Sequence, residues 1–279
     1  PNSMQYEPND QIGIPWDLNK IAQLLFFIAL SATVVCLICA RTKAKRWWIG
    51  GLGLLLSAVL LTGYFIPVSV PVMDLSAASE TADTTYYDMI HKDCQKDEAA
   101  DFRVKKYQLD FSVGLNLTGS AKVYVDRSEL KSYRFTLYHG YKVKQVTDQT
   151  GAALDFRREY DYVTVTRGGA AVEYLCLEYT GKSPKYYSSY AGVCLPANFA
   201  YYPIPGYREL FKDNFYGFID CSLPYDTAFD VRCSGRKQMY CNLAARGDNH
   251  FAGNARSITL LSGYYDTLKL NDTLVVYPK

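Results

Sequence analysis

Tyr107-Gln108-Leu109-Asp110-Phe111-Ser112-Val113-Gly114-Leu115-Asn116-Leu117 alternates apolar and polar residues over eleven positions. A period of two sends every second side chain to one face, so the stretch reads as a half-buried β-strand with Leu109, Phe111, Val113 and Leu115 in or beside a core. Gly119-Ser120 is expected to turn it, and Ala121, Val123 and Val125 to return. Further strands are expected at Tyr133–Tyr138, Val143–Val146, Leu154–Phe156, Tyr162–Thr166 and Val172–Tyr179, punctuated by Asp148-Gln-Thr-Gly151 and Gly168-Gly169. After a Tyr- and Pro-rich stretch from Tyr186 to Lys212, strands resume at Tyr216–Leu223, Ala228–Arg232, Gln238–Leu243, Ser257–Leu261 and Thr267–Val276. Short strands with turn signals every 8 to 12 residues predict an antiparallel sandwich or saddle.

Composition agrees. The chain holds 25 tyrosines, most of them beyond residue 68 among valines, threonines and phenylalanines that suit pleated surfaces. Its 30 basic and 28 acidic residues leave a net charge of +2, which offers no footprint for nucleic acid. Six of the 8 cysteines lie in the β-rich region, and Cys233 and Cys241, flanking a Ser-Gly turn, are a candidate disulfide across a hairpin. A reducing host would leave all six as thiols.

Upstream, Ile21–Ala40 and Trp47–Val68 are apolar stretches of about 20 residues, the length that spans the hydrocarbon core of a bilayer as helix. Between them Arg41-Thr-Lys43-Ala-Lys45-Arg46 carries four cations and no acid, which predicts a cytoplasmic turn and an extracytoplasmic remainder. Trp16, Trp47 and Trp48 fall at the expected interfaces. Cys36 and Cys39 sit inside the first helix as small apolar residues, and Gly50-Gly51-Leu-Gly53 suits close helix approach rather than phosphate binding. An outside N-terminus with no signal of its own predicts a piece of a larger membrane protein, with Met4 as native start the alternative. The expected fold class is therefore membrane-anchored all-β: an extracytoplasmic segment 1–18, a transmembrane hairpin 19–68, a linker 69–100 with one short helix, and an extracytoplasmic β-domain 101–279.

The strand order from Phe102 to Tyr277 resembles the N-terminal β-domain of gluzincin aminopeptidases of the aminopeptidase N type. Phe135-Thr-Leu-Tyr-His-Gly-Tyr-Lys-Val-Lys-Gln-Val-Thr-Asp-Gln-Thr-Gly151-Ala-Ala-Leu-Asp-Phe156 and Leu175-Cys-Leu-Glu-Tyr-Thr-Gly181 carry the likeness. Tyr202-Pro-Ile-Pro-Gly206 and Ile219-Asp-Cys-Ser-Leu-Pro224 are similar to a subset of such domains fused to bacterial membrane permeases. The resemblance implies a permease of an ABC-type exporter, with a nucleotide-binding ATPase subunit, other transmembrane helices and the lipid bilayer as partners.

The departures decide the chemistry. The family's zinc site needs two histidines one helical turn apart with a glutamate between them, and the sequence has no His-Glu-x-x-His. His91, His139 and His250 are scattered, and Arg208-Glu-Leu-Phe-Lys-Asp-Asn214 stands where the family carries an acidic stretch. No catalytic residue, cofactor or metal is expected. Tyr201, Tyr202, Pro203, Pro205, Tyr207 and Arg208 are a candidate rim for a peptide or protein ligand, weighed against an exposed Tyr-Pro loop that braces two sheets. Asn116-Leu-Thr118 and Asn271-Asp-Thr273 fit glycosylation acceptors, chance matches in a bacterial protein. Two rival roles stay open: the N-terminal part of a membrane-anchored zinc aminopeptidase, and an anchored adhesion or scaffold domain.

Overall fold

A computed structural model describes residues 18–40, 42–63, 83–91, 93–183, 185–189, 192–212, 217–236, 238–263, 265–271 and 273–278. Residues 1–17 of the expected N-terminal segment, Trp16 and Met4 among them, lie outside the described residues, as do the end of the second apolar stretch and the linker up to residue 82. The chain divides into two units, Ile14–Val70 and a larger one that runs from Pro71 to Lys279.

In the first unit, helix α1 spans Leu18–Cys39 and α2 spans Lys43–Thr62. The second helix starts at Lys43 rather than Trp47 because Thr42 caps it, its hydroxyl accepting from the Lys45 amide at 3.4 Å. The basic turn is thereby drawn into the helix. Arg46 Nε donates to the Ala40 carbonyl at 3.0 Å and so satisfies an acceptor at the end of α1. The helices lie close at Gly53, where a Cβ would collide with the side chain of Thr33. Ile21–Cys39 and Lys43–Thr62 have mean hydropathies of 2.5 and 1.3, apolar and long enough to cross a membrane. Their large side chains are exposed, Phe27, Trp47 and Leu52 among them.

From Asp83 the chain belongs to the β-rich unit, so the stretch read as linker is folded well before residue 100. A π-helical turn, Thr85–Ile90, leads through a strap at Cys94–Ala100 into β1 (Val104–Val113) and β2 (Leu117–Val125). There follow β3 (Ser132–Thr136), β4 (Tyr141–Thr147), β5 (Phe156–Glu159), β6 (Tyr162–Thr166) and β7 (Tyr174–Gly181). Short strands come next: β8 (Ser188–Ser189), β9 (Gly192–Leu195), β10 (Ile204–Pro205), β11 (Phe211–Lys212) and β12 (Gly217–Phe218). The last are β13 (Thr227–Ser234), β14 (Tyr240–Cys241), β15 (Ala244–Gly247), β16 (His250–Ala255), β17 (Leu260–Ser262), β18 (Tyr265–Leu270) and β19 (Thr273–Pro278).

Seven strands make the main sheet in the order β15-β16-β13-β1-β2-β7-β4. It is mixed rather than purely antiparallel, because β1 and β13 run parallel with Tyr107 opposite Phe229 and Leu109 opposite Val231. Only a long crossover permits that pairing, and the whole of β2 to β12 supplies it. Two four-stranded sheets, β10-β3-β6-β5 and β14-β17-β9-β8, and two ribbons, β11-β12 and β18-β19, complete the unit.

The sheets share one hydrophobic cluster that takes in Leu109, Phe111, Val123, Leu177 and Val231 of the main sheet, Phe135 and Val163 of the second, and Leu195 and Leu260 of the third. Tyrosines serve this core because their rings fill it while their hydroxyls find carbonyls: Tyr107 donates to Pro203 at 2.8 Å and Tyr201 to Ile258 at 2.8 Å. The predicted turn at Asp148 is present, its Oδ1 accepting from the Thr150 amide at 2.8 Å.

Four expectations are corrected. The turn after β1 falls at Gly114–Asn116, and Gly119 lies inside β2, where a Cβ would come within 2.5 Å of the Tyr179 ring. Leu115 belongs to that turn and is 59% exposed. Cys233 and Cys241 do not face each other across a hairpin: β13 pairs with β1 and β16, β14 pairs with β17, and both cysteines are free thiols. The single strand expected from Thr267 to Val276 is the β18-β19 hairpin, turned where Asn271 takes φ +54°.

Candidate functional site

The Tyr-Pro stretch is interior. Tyr201, Tyr202, Pro203 and Pro205 are buried, Tyr201 at 0% exposure, and Ile204–Pro205 pairs with Phe135–Thr136 as β10. The stretch thus braces the sheets from within, with Tyr179 Oη donating to the Tyr201 carbonyl at 2.9 Å. Tyr207 and Arg208 alone of that group are half-buried at the surface. Arg134 and Lys96 each approach the Tyr207 ring, 5.5 Å from its centre. Arg134 in turn holds Glu98 at 2.6 Å and Asp101 at 3.0 Å, and Arg208 lies 3.7 Å from Asp97. This ionic cluster fastens the strap to β3.

A second cluster lies at the other end of the strap, where sequence reading saw only scattered residues. Asp83 and Asp161 are both 2% exposed and flank His139. Asp161 Oδ1 accepts from the His139 amide at 2.6 Å and lies 3.2 Å from His139 Nδ1, while Asp83 Oδ1 is 4.0 Å from Nε2. Tyr138 Oη donates to Asp83 Oδ1 at 2.6 Å, and Tyr87 Oη to Asp161 Oδ2 at 2.9 Å. The Tyr86 ring stacks on His139 with centroids 3.5 Å apart and meets His91 edge-on at 4.5 Å. Below them Arg158 donates to the Tyr160, Leu137 and Tyr138 carbonyls, fixing the β5-β6 turn and the loop after β3.

Electrostatics follow from burial. Desolvation raises the Asp83 carboxyl above the usual aspartate value, opposed by the Tyr138 hydrogen bond and by His139 and reinforced by Asp161. Burial also drives the Tyr87 and Tyr138 hydroxyls far up, so both remain proton donors. Tyr87 stacks on Phe211 at 5.0 Å in a small apolar group with Cys94. The signal that marks this site in the sequence is Asp83-Thr-Thr-Tyr86-Tyr87, an acid and two aromatics inside a polar tether.

The outward face of the main sheet is a third feature. Alternation places Gln108, Asp110, Ser120, Lys122, Tyr124, Cys176, Glu178, Asp230 and Arg232 there, none of them buried. Two shallow depressions of about 310 and 180 Å³ open along β13, β1 and β2. His250 Nε2 is 3.0 Å from Asp230 Oδ1. Among the described residues no group of three or more His, Cys, Asp or Glu side chains is arranged to hold a metal.

The structure is similar to M1 zinc metallopeptidase chains over two-thirds of its length. The metallopeptidase of Deinococcus radiodurans aligns over 66% of this chain at 13% identity with a TM-score of 0.41. A mutant of the same enzyme gives 15% identity with the same coverage and score. Aminopeptidase A of Legionella pneumophila, in complex with aspartic acid, aligns over 62% at 7% identity with a TM-score of 0.42. The aligned region makes up 49% of the Deinococcus chain and 22% of the Legionella chain. No family model matches the sequence, and comparison with curated proteins finds no relative.

Proposed function

We propose that this chain is part of a bacterial integral membrane protein in which two membrane-spanning helices carry a noncatalytic extracytoplasmic β-domain that recognises a partner or substrate. The observation that carries the noncatalytic reading is in the sequence: an aminopeptidase-like run of strands stands without any His-Glu-x-x-His. Hydrolysis of that class needs a metal to polarise the carbonyl and activate water, and one turn of helix with both imidazoles on a single face to hold it. The remaining scaffold offers recognition. Its polar outward sheet face, with charges of both signs and half-exposed aromatics, is the surface available for it.

Membrane attachment rests on the length and hydropathy of α1 and α2 and on the four cations between them. The resemblance to permease-fused domains makes an ABC-type exporter permease the parent we favour. Such a permease holds no P-loop residues and takes its ATPase as a separate subunit. The protein purified in mild detergent is expected to contain no zinc, to leave aminoacyl substrates intact and, as full-length parent, to bring down a nucleotide-binding ATPase. Stoichiometric zinc with substrate cleavage overturns the noncatalytic reading, and a parent that copurifies with no ATPase overturns the exporter.

A further inference from the structure

The described residues between 83 and 94 meet the rest of the β-rich unit through apolar packing of Tyr87 and Cys94 on Phe211 and through a set of buried, titratable groups around Asp83 and Asp161. Tyr138 and His139 come from the loop after β3, Asp161 from the β5-β6 turn, and Lys185 from the segment after β7. Around Asp161 stand Tyr86, Tyr87, Arg158 and Tyr160. One feature sets Asp83 apart from Asp161: its Oδ1 accepts from Tyr138, whereas Oδ2 is enclosed with no hydrogen-bond partner among the described residues. A buried carboxylate with one oxygen unpartnered is costly, and a neutral carboxyl in the same place costs much less.

We infer that Asp83 makes residues 83–94 a pH-sensitive latch, docked on the β-rich unit with a neutral carboxyl and loosened when that carboxyl ionises. The sign follows from burial. The docked carboxyl holds its proton to a higher pH than a free one, so docking is strongest below the ordinary aspartate range and weakens as pH rises through the raised value. With one proton linked, the docking equilibrium falls by up to roughly tenfold per pH unit across that interval and levels off above it. Tyr87 and Cys94 leave their apolar contact with Phe211 on release. Once released, the twelve residues can extend to at most about 40 Å, at roughly 3.3 Å per residue.

Hydrogen exchange of the full chain in detergent tests this, read as protection of residues 83–94 relative to β1 between pH 4 and 8. The wild type is expected to lose relative protection as pH rises. Asp83→Asn, which mimics the neutral acid, should hold its protection across the range. His139→Gln should keep the pH response, because the proton belongs to Asp83. The inference fails if Asp83→Asn follows the wild-type profile, or if the response disappears in His139→Gln. Should Asp83→Asn fail to fold, an absent pH response in the wild type alone overturns it.

Discussion

Tyr179 on β7 closes over Gly119 on β2 and donates its hydroxyl to the Tyr201 carbonyl at 2.9 Å. One aromatic residue thereby joins the main sheet to the buried Tyr-Pro stretch, and the missing side chain at 119 makes the room. Tyr179→Phe keeps the ring but strips a buried carbonyl of this donor, at a cost of about 1–3 kcal/mol. Gly119→Val forces overpacking against the same ring and should cost about as much or more. Urea unfolding of the detergent-solubilised chain, followed by near-ultraviolet circular dichroism, reads both. A Phe variant as stable as the wild type removes the tie.

Phe111 and Leu115 share one alternation in the sequence and part company in the structure. Phe111 is 2% exposed and Leu115 59%. Phe111→Ala should therefore cost roughly 3–5 kcal/mol, while Leu115→Ala should fall within about 0.5 kcal/mol of neutral. Equal costs would refute this placement of the turn.

That pair also shows what was legible in the sequence. Period-two patterning located β1, which buries one face, β-prone residues between turn signals located β3, β6 and β7, and Asp148-Gln-Thr-Gly151 announced its own turn through the Asp148 side chain. Gly119 misled because a glycine that admits a neighbour's ring looks the same in one dimension as a glycine that bends the chain. Strands β15 and β16 escaped since Ala244–Gly247 is exposed throughout and His250–Ala255 buries a single phenylalanine. The Asp83, His139 and Asp161 cluster is assembled from three separate segments, so no local spacing could reveal it. The Tyr-Pro stretch was readable as a brace between sheets, but its burial depended on donors from β1 and β7.

Thiol chemistry should divide the cysteines. Burial pushes Cys221 and Cys233 up to about 12 and Cys241 up to about 11. At pH 8.5 their thiolate fractions are about a hundred- to a thousandfold below that of an ordinary cysteine, so iodoacetamide should modify these three only slowly in the native protein and readily after unfolding. The linkage has a definite sign: a fold that favours the neutral thiol is unaffected below about pH 9 and loses stability as pH climbs from there towards 12. Peptide mapping after timed alkylation checks the contrast, and ready modification of these three in the native protein contradicts it.

The topology prediction rests on charge. Arg41, Lys43, Lys45 and Arg46 lie between two apolar spans with no acid among them, and the three that belong to α2 or border it sit beside Trp47 and Trp48, whose exposed indoles suit an interface. Cations at a helix N-terminus oppose the helix dipole, a cost of some tenths of a kcal/mol each that a cytoplasmic leaflet rich in anionic lipid offsets by about 1 kcal/mol per cation. The turn 41–46 should therefore be cytoplasmic and the chain beyond Asp74 extracytoplasmic. In intact cells a membrane-impermeant maleimide should label Glu80→Cys and spare Ala44→Cys, with both labelled after permeabilisation. The opposite pattern would invert the topology, placing the β-rich unit in the cytoplasm and removing the basis for an extracytoplasmic recognition role.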